Sequence, residues 1–209
     1  MDLRGETMAG HRLFATWYDA INGPLERRVL AGHRERLLAG LPGTVLDIGA
    51  GTGANLPHFR AATRVFAIEP NAAMRDRLAA KLDRASVPVE VTDASAEALP
   101  FPDASVDAVV FTLVLCTVTD PDRALAEARR VLRPNGRLAV LEHVRGTGRL
   151  ARWQDRVTPV WRLLGAGCRV NRDTGAAIER AGFTLDQLEF FDPMPRLVPT
   201  RPWLSATAR

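Results

Sequence analysis

Apolar residues along this chain gather into short β-branched runs separated by longer amphipathic stretches. Thr44-Val45-Leu46-Asp47-Ile48-Gly49 reads as a buried strand that runs into glycines. Arg64-Val65-Phe66-Ala67-Ile68-Glu69 reads as a second strand ending in an acid. Ala72 to Arg84 is predicted helical, with Met74, Leu78 and Leu82 on one stripe. Val87 to Val91 is a third strand, placed at a sheet edge by Pro88, which has no N–H to give a neighbour. Val106 to Val110 is a fourth. Pro121 to Leu132 is a helix, with Asp120 as its N-cap and proline at its first position. Pro134-Asn135-Gly136 makes a turn into a fifth strand, Arg137 to Leu141. The last third is less regular. Helices are predicted over 150–164 and 172–181, the second stopped by Gly182, then a half-exposed strand over 183–191 and a final strand over 203–208. This β-α-β-α rhythm predicts an α/β fold, a parallel sheet with helices on both faces. Ligands of such sheets bind outside the carboxyl ends of the strands. No repeat and no linker divides the chain, so a single domain, 1–209, is expected.

Composition narrows the picture. The chain has 209 residues, with 46% hydrophobic and 25% charged, ordinary values for a soluble domain that needs neither disulfide nor metal to hold its core. No apolar run approaches the ~20 residues of a membrane span, and the first residues lack a signal-peptide stretch. A cytoplasmic protein without stable membrane insertion is the expectation. Cys116 and Cys168 make no secreted disulfide framework, and no His/Cys group has metal-ligand spacing along the sequence, so no metal is expected. The pI near 10 hints at nucleic acid. The net charge is only +4, however, Lys81 is the sole lysine, and acids interrupt the arginines throughout. Nucleic acid is therefore not an expected partner.

The first strand leads into Gly49-Ala50-Gly51-Thr52-Gly53-Ala54-Asn55, with a helix expected from about Ala54. Glycine at every second position lets the backbone lie flat against a bulky ligand without Cβ clashes. A pyrophosphate-binding loop needs G-x-G-x-x-G, and here the third glycine comes one residue early. A Walker loop needs G-K-[ST], and no lysine is present. Glu69 ends the second strand twenty residues after Gly49, where a carboxylate can accept hydrogen bonds from ribose hydroxyls.

The pattern D-x-G-x-G-x-G over Asp47 to Gly53 resembles the class I S-adenosylmethionine (SAM)-dependent methyltransferases. That resemblance implies a Rossmann-like, doubly wound, mostly parallel seven-stranded sheet with SAM as cofactor. It implies that Asp47 faces the cofactor's ammonium, that Gly49, Ala50, Gly51, Gly53 and Asn55 form the loop under it, and that Glu69 holds the ribose. Glu69-Pro70-Asn71 with Met74 resembles the family's continuation. Met74 then either packs on the adenine side or serves the helix core. Ala94 to Asp103 resembles the "G-D-A-E-x-L-P-F" segment of the ubiquinone and menaquinone C-methyltransferases. Ser95 stands there for the usual aspartate, Ala96 offers a backbone N–H to adenine, and Glu97 follows. Pro121 to Gly136 also resembles the family and is structural.

The methyl acceptor is less legible. Methyl transfer from a sulfonium is a displacement that needs positioning and, for some acceptors, a base. Thr112 and Leu113 are expected beside the methyl channel. His143, next to Glu142, is either a general base or an ordinary hydrogen-bonding histidine. Cys116 reads as a nucleophile or as a small buried residue. In Phe14 to Asp19 the aromatics form either a lid, with Tyr18 over cofactor and acceptor, or an ordinary packed helix. A narrower resemblance runs from Val45 to the C-terminus, to the membrane-associated alkyl-thiol S-methyltransferases. It is carried by Thr112 to Val118, Leu141 to Val144, Trp153-Gln154, Pro159-Val160-Trp161, Gly167-Cys168, Arg172 and Ile178 to Ala181. It implies a small thiol acceptor, with Cys116, His143, Trp153, Trp161, Cys168 and Arg172 around its pocket. Packing of the C-terminal third is the other reading of the tryptophans. It also implies an N-terminal helical lid segment at 1–42 and a helical substrate-covering insertion at 145–182. Those relatives carry an apolar N-terminal anchor that this chain lacks. Three readings of function stand: S-methylation of a small thiol, O-, N- or C-methylation of a quinone-like or natural-product substrate, and SAM binding without turnover.

Overall fold

The computed structural model describes residue 23 and residues 26–209. The expected lid segment Phe14 to Asp19, Tyr18 included, lies outside the described residues. Seven strands form one sheet: β1 (Gly43–Ile48), β2 (Ala62–Ile68), β3 (Val89–Thr92), β4 (Val106–Thr112), β5 (Leu132–His143), β6 (Leu185–Phe191) and β7 (Trp203–Ala208). Their order is β3-β2-β1-β4-β5-β7-β6. The first five are parallel, and β7 runs antiparallel between β5 and β6. The switch in strand order lies between β1 and β4, so the ends of those two strands open the ligand crevice. β3 sits at the edge as Pro88 predicts, the proline offering only its carbonyl, to Val65 N–H at 2.9 Å.

Helices cover both faces. Leu46, Ile48, Val109, Phe111, Leu138 and Val140 point to one face. There they meet α3 (Pro121–Val131), through Ala124, Leu125 and Ala128, and α5 (Thr174–Arg180), through Ala177 and Ile178. Val45, Val65, Ala108, Val110 and Ala139 point to the other, against Leu37 and Leu38 of α1 (Ala31–Leu38). On that side Ala67 packs on Leu78 of α2 (Ala72–Ala79). This alternation is the period of two that burial on both faces demands.

The structure corrects three expected elements. The helix foreseen from Ala54 is only a 3-10 turn, Leu56–His58, because Pro57 brings no N–H and the chain must enter β2 at Ala62. The helix over 72–84 stops at Ala79, where Lys81 leaves helical dihedrals (φ −119°, ψ 9°), and a 3-10 turn, Leu82–Arg84, follows. The turn Pro134-Asn135-Gly136 falls inside β5 as a bulge, with Asn135 at φ 65° and the pairing jumping from Val106↔Leu132 to Ala108↔Arg137.

The segment 145–182 carries α4 (Gly148–Leu164) and α5. One side chain pins α4 to the sheet. Gln154 is fully buried; its amide nitrogen donates to the carbonyls of Val144, Pro199 and Arg201 at 3.2, 3.0 and 2.7 Å, and its oxygen accepts from Gly146 N–H at 2.7 Å. Leucine at this position fits the volume and leaves all these groups unpaired. Gln154→Leu is expected to lower stability by about 2–4 kcal/mol, read as a lower urea midpoint at unchanged slope. An unmoved midpoint contradicts the assignment.

Candidate active site

The site begins with backbone shape. Gly49, Gly51 and Gly53 all take positive φ, at 65°, 58° and 85°. Their surroundings differ. A Cβ on Gly49 would sit 2.4 Å from Val114 Cγ2, and one on Gly53 would sit 2.8 Å from Leu56 Cδ1. On Gly51 it would meet only its own loop, Gly49 O at 3.9 Å. Gly49 and Gly53 are therefore glycines for protein packing, and Gly51 is glycine beside open space.

Asp47 closes one end of that space. It is fully buried at the end of β1, on the same side of the sheet as Val45. Oδ1 accepts from Asn55 Nδ2 at 2.7 Å, and the same nitrogen donates to Thr112 Oγ1 at 3.0 Å. Asn55 Oδ1 in turn accepts from Arg34 of α1, whose Nε donates to Glu26 at 2.8 Å. Asp47 Oδ2 has no partner among the described residues. Burial, only partly offset by Asn55 and Arg34, pushes this carboxyl up to about 7. A buried, unpartnered carboxylate oxygen beside an open glycine loop is a receptor for a ligand cation.

Glu69 forms the other end. Its oxygens accept from Gly51 N–H at 2.9 Å and Asn71 N–H at 2.8 Å, so the end of β2 is tied to the loop. Burial pushes its carboxyl up against those two bonds. Pro70 is exposed, and Met74 is buried in α2, capped by Asn71 Oδ1 on Met74 N–H at 3.2 Å. Ala50 is buried, its N–H on Ile68 O at 3.0 Å. Ala96 is buried and Ser95 half-buried. Glu97 turns towards the start of α3: one oxygen accepts from Ser95 Oγ, the other from Thr119 N–H at 2.9 Å. Burial opposes ionisation of Glu97, and these donors outweigh it, so its carboxyl is held low.

A second polar centre lies at the ends of β4 and β5. Thr112 is buried, and Leu113 takes φ 61°, a strained left-handed conformation for a branched side chain, held by Leu113 N–H on Leu141 O at 2.9 Å. Glu142 is fully buried; its Oε1 accepts the N–H groups of Val114 and Leu115, and its Oε2 has no partner among the described residues. Burial pushes the Glu142 carboxyl up. His143 Nε2 lies 3.1 Å from Cys168 Sγ, and its ring stands edge-on to Trp203 at 6.1 Å. Burial pulls the imidazole down, but the Cys168 sulfur and Glu142 outweigh it and the net shift is upward. Cys116 is buried and hydrogen-bonded to Cys168; that bond drives the Cys168 thiol below its ordinary range and the Cys116 thiol above it.

Arg172 does not offer its charge to this centre. Its guanidinium donates to the carbonyls of Leu115, Val118 and Thr119, the last two at 2.6 and 3.4 Å, and so braces the loop after β4. Trp161 is half-buried, with Nε1 near the Cys168 turn, and Trp153 is half-buried on α4. The structure thus brings Asp47, Gly51, Asn55, Glu69 and Thr112 into one group and Cys116, Glu142, His143, Cys168 and Trp161 into another. The two groups are joined where Val114 packs against Gly49. Sequence reasoning missed Arg34 and Trp203. Neither carries a motif, and both reach the site only through tertiary contacts, Arg34 on Asn55 and Trp203 on His143.

Known proteins agree with this geometry. The "Methyltransferase domain" family matches residues 46–140. The chain is 34% identical over 171 residues to the thiol S-methyltransferase TMT1B of Rattus norvegicus, covering 79% of this chain and 70% of that one. It is 36% identical over 151 residues to human thiol S-methyltransferase TMT1A, covering 70% and 62%. It is 43% identical over 113 residues to the ubiquinone/menaquinone biosynthesis C-methyltransferase UbiE of Hahella chejuensis, covering 50% and 44%. Among solved structures, the methyltransferase in complex with the Haloferax volcanii Trm112 activator superposes with a TM-score of 0.73 at 17% identity, over 95% of this chain and 96% of that one. The [4+2]-cyclase SpnF superposes at 0.68 and 22%, over 88% and 80%. The chain belongs to the class I SAM-dependent methyltransferases, and it is an enzyme of that class.

The residues present fit SAM: the open space at Gly51 and the free oxygen of Asp47 match a bulky ligand bearing an ammonium group. Gly49→Ala is expected to destabilise the fold, by its clash with Val114. Gly51→Ala is expected to lose only the ~1–2 kcal/mol of left-handed strain while weakening SAM at least ~10-fold, about 1.4 kcal/mol. Thermal melts and calorimetric titration separate the two; unchanged SAM affinity in Gly51→Ala contradicts the loop's role.

Asp47 gives a pH signature. Its folded value of about 7 lies above the ordinary 3.8, so the stability it contributes is present below about pH 4 and lost as pH rises through 7. Asp47→Asn is therefore expected to raise the melting temperature of the ligand-free protein at about pH 8, with a gain that shrinks towards about pH 5. Wild-type SAM affinity is expected to rise across that interval while the variant's stays low and flat. A pH-independent wild-type affinity contradicts this reading.

Proposed function

We propose that the enzyme methylates the sulfur of a small thiol. The observation that supports this most is the extent of the similarity to thiol S-methyltransferases. It runs over 171 residues at 34% identity, well beyond the 46–140 core that unrelated methyltransferases share. That excess has to include part of α4, α5 or the strands around them, where acceptor pockets of this fold are built.

In this reading Asp47 Oδ2 binds the cofactor's ammonium, Gly49, Ala50, Gly51 and Gly53 pass beneath it, and Glu69 holds the ribose hydroxyls. Asn55 and Thr112 orient Asp47. Ser95, Ala96 and Met74 line the adenine end. SAM, when bound, supplies a methyl group already activated on a sulfonium. The acceptor lies over the ends of β4 and β5, among Cys116, His143, Cys168 and Trp161, with Leu113 shaping the entrance and Trp153 and Arg172 supporting from outside. The chain's task is to hold the acceptor in line and exclude water. A thiol is a few per cent thiolate at neutral pH, so it needs little help from a base. That agrees with His143 Nε2 being engaged by Cys168 rather than aimed into free space. The same proposal places the enzyme in the cytoplasm, where its two free cysteines stay reduced. No helix among the described residues is long and apolar enough to cross a membrane.

A quinone-type C-methyltransferase is the second reading, favoured by the 43% identity to UbiE, but that similarity covers only 50% of the chain. An acceptor panel of small thiols, phenols, amines and quinols with methyl-labelled SAM separates the two. Methyl thioethers alone are the expected products. Turnover on quinols or phenols with none on thiols overturns the thiol reading.

A further inference from the structure

The sequence shows no metal spacing, yet the fold assembles a ligand set. The Sγ atoms of Cys116 and Cys168 and a ring nitrogen of His143 all lie within 4.8 Å of one another. A tetrahedral zinc site, with Zn–S near 2.3 Å and Zn–N near 2.0 Å, sets its donors about 3.5–3.8 Å apart. The three donors here need to move by an ångström or less to close around one ion. They come from three separately anchored elements. Cys116 follows β4 on a loop whose N–H groups at Val114 and Leu115 are held by Glu142. His143 ends β5, paired in register with Trp203. Cys168 lies in the turn after α4, docked by Arg169 N–H on Cys116 O at 2.8 Å and by its own N–H on Gly165 O at 3.0 Å.

A second observation points the same way. Glu142 is fully buried beside Cys116, and its Oε2 has no partner among the described residues. The one cationic side chain braced nearby, Arg172, spends its donors on backbone carbonyls. A buried carboxylate with two thiols around it is short of positive charge. Two sulfurs alone would point to a redox pair. Two sulfurs, an imidazole nitrogen and an uncompensated carboxylate form the donor set of a borderline-soft divalent cation.

We propose that Cys116, His143 and Cys168 form a three-ligand site for Zn²⁺, and that its fourth position takes the sulfur of the methyl acceptor. The second half rests on the thiol reading above. Cys168 is only half-buried, which leaves that position a side open to small molecules. The acceptor thiol gives up its proton on coordination, and the ion holds the resulting thiolate at the end of β4, beside the glycine loop.

The test uses the full chain, reduced with a phosphine, stripped with a chelator and titrated with Co²⁺ as the spectroscopic probe. The expected result is one site per chain with sulfur-to-cobalt charge-transfer absorption and the intense visible bands of tetrahedral cobalt. Cys168→Ser, at a half-buried position that tolerates the change, is expected to weaken binding at least about tenfold and to reduce the charge-transfer band. Cys116→Ala, checked for folding by circular dichroism, is expected to do the same. Absence of the band in the wild type, or a band indifferent to Cys168→Ser, overturns the site. Adding a small thiol to the cobalt-loaded protein is expected to strengthen the band. An unchanged spectrum overturns the acceptor half, as does thiol methylation at undiminished kcat/KM in the stripped enzyme, which would leave the thiol reading standing. If no thiol is methylated at all, the acceptor half falls and the cobalt titration still decides the site.

Discussion

Asp47 sits at the end of a central parallel strand with no water to share its charge, and much of the molecule is arranged around that fact. A buried carboxylate is stabilised only by donors, and the donors come from places distant in sequence. Asn55 spans the gap, giving its amide protons to Asp47 and Thr112 and taking one from Arg34. This one side chain therefore couples the glycine loop, the end of β4 and α1. The network serves one Asp47 oxygen and leaves the other bare. The asymmetry is what a binding site needs: one oxygen fixes the geometry and the other waits for a ligand charge. The elevated carboxyl value is the energetic trace of that arrangement.

The same device recurs at β5. Glu142, fully buried, accepts two backbone N–H groups through one oxygen and leaves the other unpaired. Its bonds shape the loop that carries Cys116, as the bonds of Glu69 shape the loop that carries Gly51. In each case the acid at a strand end orders the turn beyond its neighbour strand. Parallel sheets make this economical, because every strand points its carboxyl end at the same crevice. Strain is stored there too, in the positive φ of Leu113 between the two acids.

What the sequence disclosed follows from locality. The glycine loop, Glu69 and the capped helix after Asp120 are short patterns whose physics is complete within a few residues. Each appears where spacing placed it. Even there the pattern did not tell the glycines apart: Gly49 is required by Val114, across 65 residues of chain, and Gly51 by open space. The helix expected after the loop failed because the early entry into β2 was invisible to periodicity. Arg34 was unreadable because its partner, Asn55, sits in another element and α1 carries no motif. The approach of Cys116, His143 and Cys168 was unreadable for the same reason, since metal-ligand spacing is a signal only when one loop supplies the pair.

This division between local and assembled chemistry separates the two halves of the site. The cofactor half is built from residues near one another in sequence, on strands buried from both sides, so it resists change. The acceptor half is assembled by contacts between the β4 loop, the end of β5 and the turn after α4, such as Arg169 N–H on Cys116 O and Gln154 on the backbone of three segments. Altering that turn alters what is presented to the methyl group without touching Asp47 or Gly51. A fold arranged this way can keep its cofactor and exchange its chemistry, and the superposition on the [4+2]-cyclase SpnF at 22% identity is what that freedom looks like across proteins. Specificity in this chain accordingly resides where Gln154 locks α4 to the sheet and fixes how closely Cys168 approaches His143.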